Sequence, residues 1–259
     1  MSLLDPAHPS LLLPGRRVLV TGGARGLGLA FAEHLAAHGA RLVIADLRAE
    51  LAEQSAAALR SAGFDVQALA LDLADPAAVT ACAAQAAALL GGLDGLVNNG
   101  AITDSGGRNS EQIDTDTWDR VMQVNVRGTW LMSNACRPAL AASGRGAIVN
   151  LASDTALWGA PRLMAYVASK GAVMAMTRSL AREFGGDNIT VNAIAPGLVE
   201  VEATRYVPAE RHAHYRGQRA LQRAQLPADV SGAVVYALSD LARFVTGQTL
   251  AVNGGFVMH

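Results

Sequence analysis

The segment Thr21–Gly28, which reads Thr-Gly-Gly-Ala-Arg-Gly-Leu-Gly, constrains the fold of this chain more than any other. A short apolar run, Val18–Thr21, precedes it, and a run of helix-forming residues, Leu27–His38, follows it. Glycines in such a turn let the backbone approach a phosphate closely, and the next helix supplies unpaired N–H groups at its N-terminus. The spacing is Gly-x-x-x-Gly-x-Gly rather than the common Gly-x-Gly-x-x-Gly. The flanking strand and helix nevertheless favour a phosphate-binding loop over a plain structural turn. Its candidate residues are Gly22, Arg25, Gly26, Leu27 and Gly28.

Short apolar runs alternate with longer helical runs along the chain, and no linker-like segment interrupts them. The apolar runs lack alternation with polar residues, which is typical of strands buried on both faces of a parallel sheet. The pattern predicts one α/β domain, a Rossmann-like doubly wound parallel sheet of about seven strands with helices on both faces. The predicted strands are Val18–Thr21, Arg41–Asp46, Val66–Leu71, Gly95–Asn98, Gly146–Leu151, Ile189–Ile194 and Thr249–Val252. The predicted helices are Leu27–His38, Ala49–Ala62, Pro76–Leu90, Thr117–Ala142, Met164–Phe184 and Ala228–Asp240.

Composition excludes several classes of protein. The chain of 259 residues is 51% hydrophobic and 17% charged, so it can bury a large core and is not expected to be disordered. A formal net charge of −1 leaves no basic surface for nucleic acid, and charges or glycines interrupt every apolar run before membrane-spanning length. Cys82 and Cys136 lie in Ala-rich helical runs, so we expect no disulfide and a cytoplasmic setting. His34 and His38 have no third ligand nearby, and no metal site is predicted.

Asp46 ends the second predicted strand, about 20 residues beyond the glycines. A carboxylate at this place can accept hydrogen bonds from the hydroxyls of an adenosine ribose and would repel a 2′-phosphate. It therefore favours NAD over NADP. Arg25 and Arg48 favour the opposite choice, since a guanidinium can bind a 2′-phosphate. The alternative role for Asp46 is to cap the next helix.

Ser153 follows the fifth predicted strand, and Tyr166 and Lys170 lie thirteen and seventeen residues further along, within a predicted helix. The spacing of four residues places the phenol and the ammonium on one helix face. A free tyrosine has a pKa near 10, and a neighbouring cation that stabilises the phenolate makes it usable as a general acid or base near neutral pH. Each of these residues alone has a structural explanation, and only the combination indicates catalysis.

Seven features in register resemble the short-chain dehydrogenase/reductase family from about Arg16 to Gly255. They are the glycine-rich segment at 21–28, Asp72 in Leu-Asp-Leu, Asn98-Asn99-Gly100-Ala101, Asn125 in Val-Asn-Val, Ser153, the Tyr166/Lys170 pair and Pro196-Gly197. The resemblance implies an oxidoreductase that moves a hydride between a nicotinamide and a carbinol or carbonyl carbon.

The resemblance also assigns roles to individual residues. Tyr166 would donate or accept the proton at the substrate oxygen, and Ser153 would orient that oxygen. Lys170 would hold the nicotinamide ribose and lower the pKa of Tyr166, and Asn125 would anchor a water that relays protons. Asp72 would contact the adenine, and Asn98 would stabilise the sheet behind the cofactor. The remaining residues expected at the cofactor are Leu73, Gly100, Pro196, Gly197 and Val199.

Two positions depart from the family pattern. The order Asn-Asn-Gly-Ala at 98–101 replaces the usual Asn-Asn-Ala-Gly, and we expect the strand to tolerate this. Val201 stands where a threonine commonly bonds the nicotinamide carboxamide, so Thr204 or a backbone group would have to take that part.

The expected function is NAD-dependent interconversion of a secondary alcohol and a ketone. Asp154 and Trp158 are expected to border the substrate with Ser153 and Tyr166, and the indole would suit a cyclic or aromatic compound. A 3-oxoacyl thioester reductase, a sugar dehydrogenase or a dehydrogenase of a pyridoxal-like ring remain alternatives, and a cofactor-binding regulator without turnover is the alternative of another class. Family members commonly form homotetramers through the fourth and fifth helices and the C-terminal segment, so we expect one here.

Two segments complete the predicted organisation. Residues 1–14 are expected to form an extended N-terminal arm, ahead of the dinucleotide-binding domain at 15–259. Residues 197–227, the longest segment between the last regular elements, are expected to form a substrate lid. The basic residues of this lid either meet an anionic substrate or form a solvated helical face. They are Arg205, Arg211, His212, His214, Arg216, Arg219 and Arg223.

Overall fold

The computed structural model describes residues 11–258. Seven strands form one fully parallel sheet in the order β3-β2-β1-β4-β5-β6-β7. This confirms the predicted doubly wound sheet. The strands are β1 (Arg17–Thr21), β2 (Arg41–Asp46), β3 (Val66–Ala70), β4 (Gly95–Asn98), β5 (Ala147–Leu151), β6 (Thr190–Pro196) and β7 (Thr249–Val252).

Helices cover both faces of the sheet, and each face has its own apolar core. Side chains of α1, α2 and α9 pack on one face, and those of α3, α5 and α7 pack on the other. The helices are α1 (Gly26–Ala37), α2 (Ala49–Ser61), α3 (Pro76–Leu90), α4 (Thr115–Met122), α5 (Thr129–Ser143), α6 (Thr155–Trp158), α7 (Met164–Phe184), α8 (Ala209–Gln218) and α9 (Pro227–Leu238).

Local signals explain where individual helices begin and end. The side chain of Asp75 accepts a hydrogen bond from the backbone N–H of Ala77, and Pro76 occupies the first turn of α3, where its missing N–H costs nothing. Gly91 ends α3 in a left-handed conformation with φ of +73°. The predicted bounds of α3 are therefore correct.

The predicted helix Thr117–Ala142 is wrong in one respect. The chain is helical from residue 115 to 143, but residues 123–128 form a π-helical turn between α4 and α5. Gly128 packs in this turn against the backbone of Leu73, where a Cβ atom would lie 2.8 Å from the Leu73 carbonyl oxygen. The amide of Asn125 is turned toward the backbone of Ile102. The wider turn thus serves two tertiary contacts that periodicity alone does not reveal.

The predicted lid contains a helix that the sequence did not indicate. Residues 197–227 include a short 3₁₀ turn at Glu202–Thr204 and the helix α8. Of the predicted N-terminal arm, residues 1–10 lie outside the described residues. Leu13, near its end, is fully buried in the core on the α1 face.

Two further properties concern the described residues 11–258 alone. None of their helices has the length and apolar character to cross a membrane. Within that same range, no three histidine, cysteine, aspartate or glutamate side chains gather closely enough to hold a metal ion.

The sheet order positions the functional cleft. β1 pairs with β2 on one side and with β4 on the other. The chain therefore adds β2 and β3 on one side of β1 and then crosses over to add β4 to β7 on the other side. In open α/β sheets, ligands bind at this crossover, outside the carboxyl ends of the strands.

Candidate active site

A cleft of about 580 Å³ opens at the carboxyl ends of the strands. It joins the glycine-rich loop after β1 to the residues after β5 and to α7. Nearly all residues expected at the cofactor line it. They are Gly22, Arg25, Gly26, Leu27, Gly28, Asp46, Asp72, Leu73, Gly100, Tyr166, Lys170, Pro196, Gly197 and Val199. Asn98 and Asn125 lie behind this lining, and Trp158 lies outside it.

The glycine-rich loop is folded too tightly for side chains at Gly22, Gly23 and Gly28, where a Cβ atom would lie 2.8 Å or less from a neighbouring atom. Gly22 has φ of +63°, and a Cβ atom there would lie 2.7 Å from the Cα atom of Gly100. A Cβ atom on Gly28 would lie 2.0 Å from the carbonyl oxygen of Gly22. The loop leads into α1 at Gly26, so the first N–H groups of that helix face the cleft mouth. These features form a cradle that fits a pyrophosphate.

Asp46 is held at the end of β2 by backbone donors. Its Oδ2 atom accepts a hydrogen bond from the N–H of Ala24 at 3.1 Å, and its Oδ1 atom accepts one from the N–H of Arg48 at 3.0 Å. The carboxylate therefore caps its own turn and borders the cleft at once. Arg25 also borders the cleft, and its guanidinium makes no ion pair with a described carboxylate.

The segment after β4 closes the cleft from behind the glycine loop. The side chain of Asn98 donates to Asn150 Oδ1 at 2.9 Å and to Ser133 Oγ at 3.0 Å, which joins β4 to β5 and α5. Gly100 lies beside Gly22, and a Cβ atom on Gly100 would meet the flexible end of Leu73 at 2.8 Å.

Asp72 is exposed at the cleft edge, where its carboxylate accepts a hydrogen bond from the N–H of Ala74 at 2.8 Å.

The helix α7 presents Tyr166 and Lys170 on one face, as the spacing predicts. The Lys170 ammonium lies 5.6 Å from the centre of the Tyr166 ring and donates a hydrogen bond of 2.6 Å to the carbonyl oxygen of Leu151. Ser153 follows β5, and its hydroxyl lies within hydrogen-bonding reach of the Tyr166 phenol. The structure therefore brings all three side chains together at the carboxyl edge of the sheet.

Burial changes the proton affinity of both groups on α7. Loss of solvent raises the pKa of Tyr166 well above its usual range, and the neighbouring Ser153 side chain acts in the opposite direction. Burial lowers the pKa of Lys170 to about 8. The phenol is consequently protonated at neutral pH, and the ammonium is mostly charged.

Asn125 lies on the π-helical turn and is 1% exposed. Its side chain accepts a hydrogen bond from the N–H of Ile102 at 2.8 Å and donates to the carbonyl oxygen of Ile102 at 3.1 Å. It also donates to Ser169 Oγ at 3.1 Å, one residue before Lys170. These contacts connect α7 to the segment after β4.

The segment after β6 also lines the cleft. Val201 lines the cleft at the position where the family usually has a threonine. The hydroxyl of Thr204 donates to the carbonyl oxygens of Val199 and Val201 at 2.7 and 2.9 Å, so it is engaged within its own turn.

The two remaining residues expected near the substrate have different surroundings. Asp154 borders the base of the cleft, is fully buried and accepts a hydrogen bond of 3.1 Å from the Tyr215 hydroxyl. Trp158 packs edge-on against Tyr215 and Phe256, with ring centroids 6.2 and 5.6 Å away. Its indole thus supports the residues at the substrate end and does not form the wall itself.

Comparison with known proteins identifies the family. A family model described as enoyl-(acyl carrier protein) reductase matches residues 22–257. A crystal structure from Sinorhizobium meliloti 1021, assigned to a short-chain alcohol dehydrogenase, superposes with a TM-score of 0.90 at 35% sequence identity, covering 96% of this chain and 98% of that one. The chain belongs to the short-chain dehydrogenase/reductase family.

Curated relatives of this short-chain dehydrogenase/reductase are named as dehydrogenases. The chain is 38% identical over 248 residues to 2-(S)-hydroxypropyl-CoM dehydrogenase 3 of Xanthobacter autotrophicus, covering 92% of this chain and 95% of the relative. It is also 38% identical over 245 residues to 3-alpha-(or 20-beta)-hydroxysteroid dehydrogenase of Mycobacterium tuberculosis H37Rv, covering 95% and 90%. The protein is therefore an oxidoreductase of the alcohol dehydrogenase type that works with a nicotinamide cofactor, which confirms the expected enzyme class.

Sequence reasoning on this short-chain dehydrogenase/reductase missed several residues of the substrate end. The missed lining residues are Ile102, Thr103, Leu163, Tyr206, Val207, Arg211 and Tyr215. Of these residues, only Arg211 was named from the sequence, as one of the basic residues of the predicted lid and not as a lining residue of the cleft. Tyr215 carried no signal because α8 was not predicted, and an isolated aromatic residue in a basic segment has no recognisable spacing.

Proposed function

We propose that this protein catalyses the NAD-dependent interconversion of a secondary alcohol and a ketone, with Tyr166 as the general acid and base. The observation that carries the proposal is the meeting of Tyr166, Lys170 and Ser153 in the same cleft as the glycine-rich loop. A phenol beside a cation, opposite a hydroxyl and in line with a dinucleotide cradle, is the arrangement that hydride transfer at a carbinol carbon requires.

Proton and hydride leave the alcohol in opposite directions in this reaction. During oxidation, the hydroxyl proton passes to the phenolate oxygen of Tyr166, and the hydride on the carbinol carbon passes to the nicotinamide ring. During reduction, the Tyr166 phenol returns the proton to the carbonyl oxygen. The bound dinucleotide supplies the hydride acceptor or donor. Ser153 orients the substrate oxygen, and the charge of Lys170 stabilises the phenolate.

Asn125 and Asn98 take supporting roles in this proposal. Asn125 fixes the α7 region against the backbone of Ile102, and its place beside Ser169 suits the relay of protons by water behind Lys170. Asn98 holds the ends of β4 and β5 in register behind the nicotinamide.

The preference for NAD rests on Asp46. Its carboxylate is fixed by two backbone N–H groups at the end of β2, where the adenosine ribose would lie. A 2′-phosphate at this place would meet a fixed negative charge. Arg25 and Arg48 are the residues that could offset this repulsion, because both border the cleft and neither makes an ion pair with a described carboxylate.

The substrate end favours a molecule with a substantial apolar body. Leu163, Val207 and Tyr215 border it, and Arg211 places a cation at its rim. The two relatives named for hydroxysteroid and hydroxypropyl-CoM oxidation differ widely in substrate, so the proposal extends to a secondary alcohol of small to medium size. A 3-oxoacyl thioester and a sugar are the alternative substrates within the family.

We further propose a homotetramer that works in the cytoplasm. Exposed apolar side chains lie on α4 and α5, which together make up the predicted fourth helix, and near β7. They include Trp118 on α4, Trp130 on α5, and Leu241, Phe244 and Leu250 around β7. Cys82 and Cys136 are buried free thiols, as suits a reducing compartment. Size-exclusion chromatography with light scattering tests the assembly, and a monomer at working concentration would contradict it.

The deciding experiment follows NADH absorbance with a panel of secondary alcohols, steroids, sugars and 3-oxoacyl thioesters. We expect turnover with at least one member and a strong preference for NAD(H) over NADP(H). Tight NADH binding without turnover of any compound would instead favour a cofactor-binding regulator.

A further inference from the structure

A buried carboxyl group lies directly behind the catalytic serine. Asp154 follows Ser153 in the chain and is 0% exposed. Its Oδ1 atom accepts a hydrogen bond of 3.1 Å from the hydroxyl of Tyr215 on α8. Its Oδ2 atom is buried and makes no hydrogen bond of 3.5 Å or shorter among residues 11–258, although the Asn253 side chain lies close enough to lower the pKa of the carboxyl group. An unpaired carboxylate oxygen away from water is costly, so this side chain requires a functional or electrostatic explanation.

Tyr215 connects this carboxyl group to three separate segments. Its hydroxyl accepts a hydrogen bond of 3.2 Å from the indole N–H of Trp158, and its ring stacks on Phe256 of the C-terminal segment with centroids 4.2 Å apart. The guanidinium of Arg219, just beyond α8, lies over the same ring, with its Cζ atom 5.3 Å from the ring centroid. Tyr215 is 3% exposed and borders the cleft, so it is the side chain by which α8 is anchored beside the active site.

Arg219 does not neutralise the carboxyl group by direct contact. It is 4% exposed and donates hydrogen bonds to the carbonyl oxygen of Leu198 at 2.7 Å and to Gln225 Oε1 at 3.2 Å. Gly197 separates it from the carboxylate, since a Cβ atom on this glycine would lie 3.1 Å from both Asp154 Oδ2 and an Arg219 nitrogen. Any side chain at position 197 would therefore collide with the pair.

The electrostatic setting of Asp154 comes from several elements. Burial raises the pKa of Asp154 to about 7, while the Tyr215 hydroxyl and Arg219 act to lower it. The ionised carboxylate in turn raises the pKa of Tyr166 on α7. Other charged or titratable groups at this cluster are Arg211, which faces Tyr215, and His214, whose ring lies 6.5 Å from the Tyr215 ring.

We propose that Asp154 is a positioning residue that joins the lid helix to the catalytic serine segment through Tyr215, so that seating of α8 and proton transfer at Tyr166 both respond to the protonation of this one carboxyl group. The neutral form leaves Tyr166 free of a neighbouring negative charge. The ionised form holds the Tyr215 hydroxyl more strongly and disfavours the Tyr166 phenolate. The catalytic meaning of this coupling rests on the proposed role of Tyr166.

The test is a pH titration of the full-length protein labelled with [¹³Cζ]tyrosine. The chain has four tyrosines, so the four NMR resonances can be assigned by single Tyr→Phe substitutions. We expect the Tyr215 and Tyr166 resonances to shift together between pH 5 and 9, with one midpoint near neutrality. The shared step near neutrality should disappear from both resonances in Asp154→Asn, whereas a separate step of Tyr166 from the neighbouring Lys170, whose pKa is about 8, should remain. A Tyr166 resonance without the step that Tyr215 shows, or a Tyr215 shift that persists in Asp154→Asn, would overturn the proposal.

Two matched controls separate the carboxyl group from its neighbours. His214→Asn removes the imidazole beside Tyr215, and Asp116→Asn removes an exposed carboxyl group on α4. Both should keep the wild-type titration, and its loss in His214→Asn would assign the effect to the imidazole instead. If Asp154→Asn does not fold, Tyr215→Phe serves in its place. That variant removes a donor to the charged carboxylate, so the midpoint sensed by Tyr166 should rise by about one pH unit, and an unchanged midpoint would overturn the proposal.

These measurements need no turnover. A coupled titration in a protein that oxidises no alcohol would refute the proposed function and leave the coupling intact. Turnover without a coupled titration would have the opposite meaning.

Discussion

The ammonium group of Lys170 donates a hydrogen bond of 2.6 Å to the carbonyl oxygen of Leu151. This contact ties α7 to the last residue of β5, two residues before Ser153, and places the cation 5.6 Å from the centre of the Tyr166 ring. Lys170 is also the only lysine in the chain, since the other 20 of its 21 lysine and arginine residues are arginines. Lysine is the cation whose pKa responds readily to burial, whereas arginine stays charged.

Lys170 should make the stability of the protein depend on pH in a predictable direction. Burial lowers its pKa from 10.5 in the unfolded chain to about 8 in the fold. Below pH 8 both states carry the proton, and the buried charge costs stability. Between pH 8 and 10.5 the folded state loses the proton first, so this cost is relieved and stability rises with pH, by up to about 3 kcal/mol.

The comparison of wild type with Lys170→Met isolates this effect. Urea unfolding at pH 7, 8, 9 and 10 should show the wild type gaining stability relative to the variant as pH rises. A labelled-lysine NMR titration reads the pKa without overlap, because there is one lysine. A constant difference between the two proteins over this range would contradict the expectation.

Removal of the Tyr166 hydroxyl should strongly lower the rate of catalysis and leave the affinity for NADH almost unchanged. General acid–base groups commonly contribute 10²- to 10⁴-fold, so Tyr166→Phe is expected to lower kcat/KM by about 10³-fold. NADH absorbance measures turnover, and fluorescence titration measures NADH binding, which should change little. Tyr236→Phe, on the partly exposed face of α9, is the matched control and should keep wild-type activity. Near-wild-type rates in Tyr166→Phe would refute the assigned role.

Neutralisation of Asp46 should shift the cofactor preference toward NADP. The Asp46→Asn variant keeps an oxygen for the N–H of Ala24 but removes the charge that would repel a 2′-phosphate. The ratio of kcat/KM for NAD to that for NADP is expected to fall by about tenfold or more, which corresponds to about 1.4 kcal/mol. Arg25→Ala in the same background should reverse part of the change. An unchanged ratio would show that the ribose lies elsewhere.

Two glycines of the cleft should respond very differently to alanine. At Gly28 the added methyl group would lie 2.0 Å from the backbone oxygen of Gly22, which cannot move without opening the loop. Gly28→Ala should therefore lose NADH binding, and thermal unfolding should show marked destabilisation. At Gly100 the closest contact of the methyl group is the flexible end of Leu73 at 2.8 Å, and the backbone nitrogen of Gly22 lies 3.3 Å away, so Gly100→Ala should cost less than about 1.5 kcal/mol.

The control for this pair is Gly171→Ala within α7, where a methyl group meets no atom within 4 Å. Helix propensity predicts a gain of roughly 0.5–1 kcal/mol for this variant. Equal losses of NADH binding in Gly28→Ala and Gly100→Ala would contradict the structural distinction between them.

The order of strands and helices was predictable because each element has a local signature. The strands are unbroken apolar runs, and glycines or prolines separate them from helices, as at Gly91 after α3. The shared face of Tyr166 and Lys170 on α7 was predictable for a similar reason, since a spacing of four residues decides it. These signals need no knowledge of distant contacts.

Features that depend on contacts between distant parts of the chain could not be predicted from the sequence. The π-helical turn follows from the packing of Gly128 on Leu73, 55 residues earlier. The role of Tyr215 follows from contacts to Asp154 and Phe256, which only the folded chain brings together. Trp158 looked like a substrate wall because it lies between Ser153 and Tyr166 in sequence, but its indole packs on the far side of Tyr215.

The π-helical turn at 123–128 bears on how relatives should be compared with this chain. A turn of five residues per hydrogen bond contains one residue more than the regular geometry, so the faces of α4 and α5 are offset by about 100° from those of an uninterrupted helix. A helical wheel drawn through residues 115–143 as one regular helix therefore places Trp118 and Trp130 at the wrong angle relative to each other. Alignments that shift a single gap across this turn will accordingly exchange an outward-facing residue for an inward-facing one.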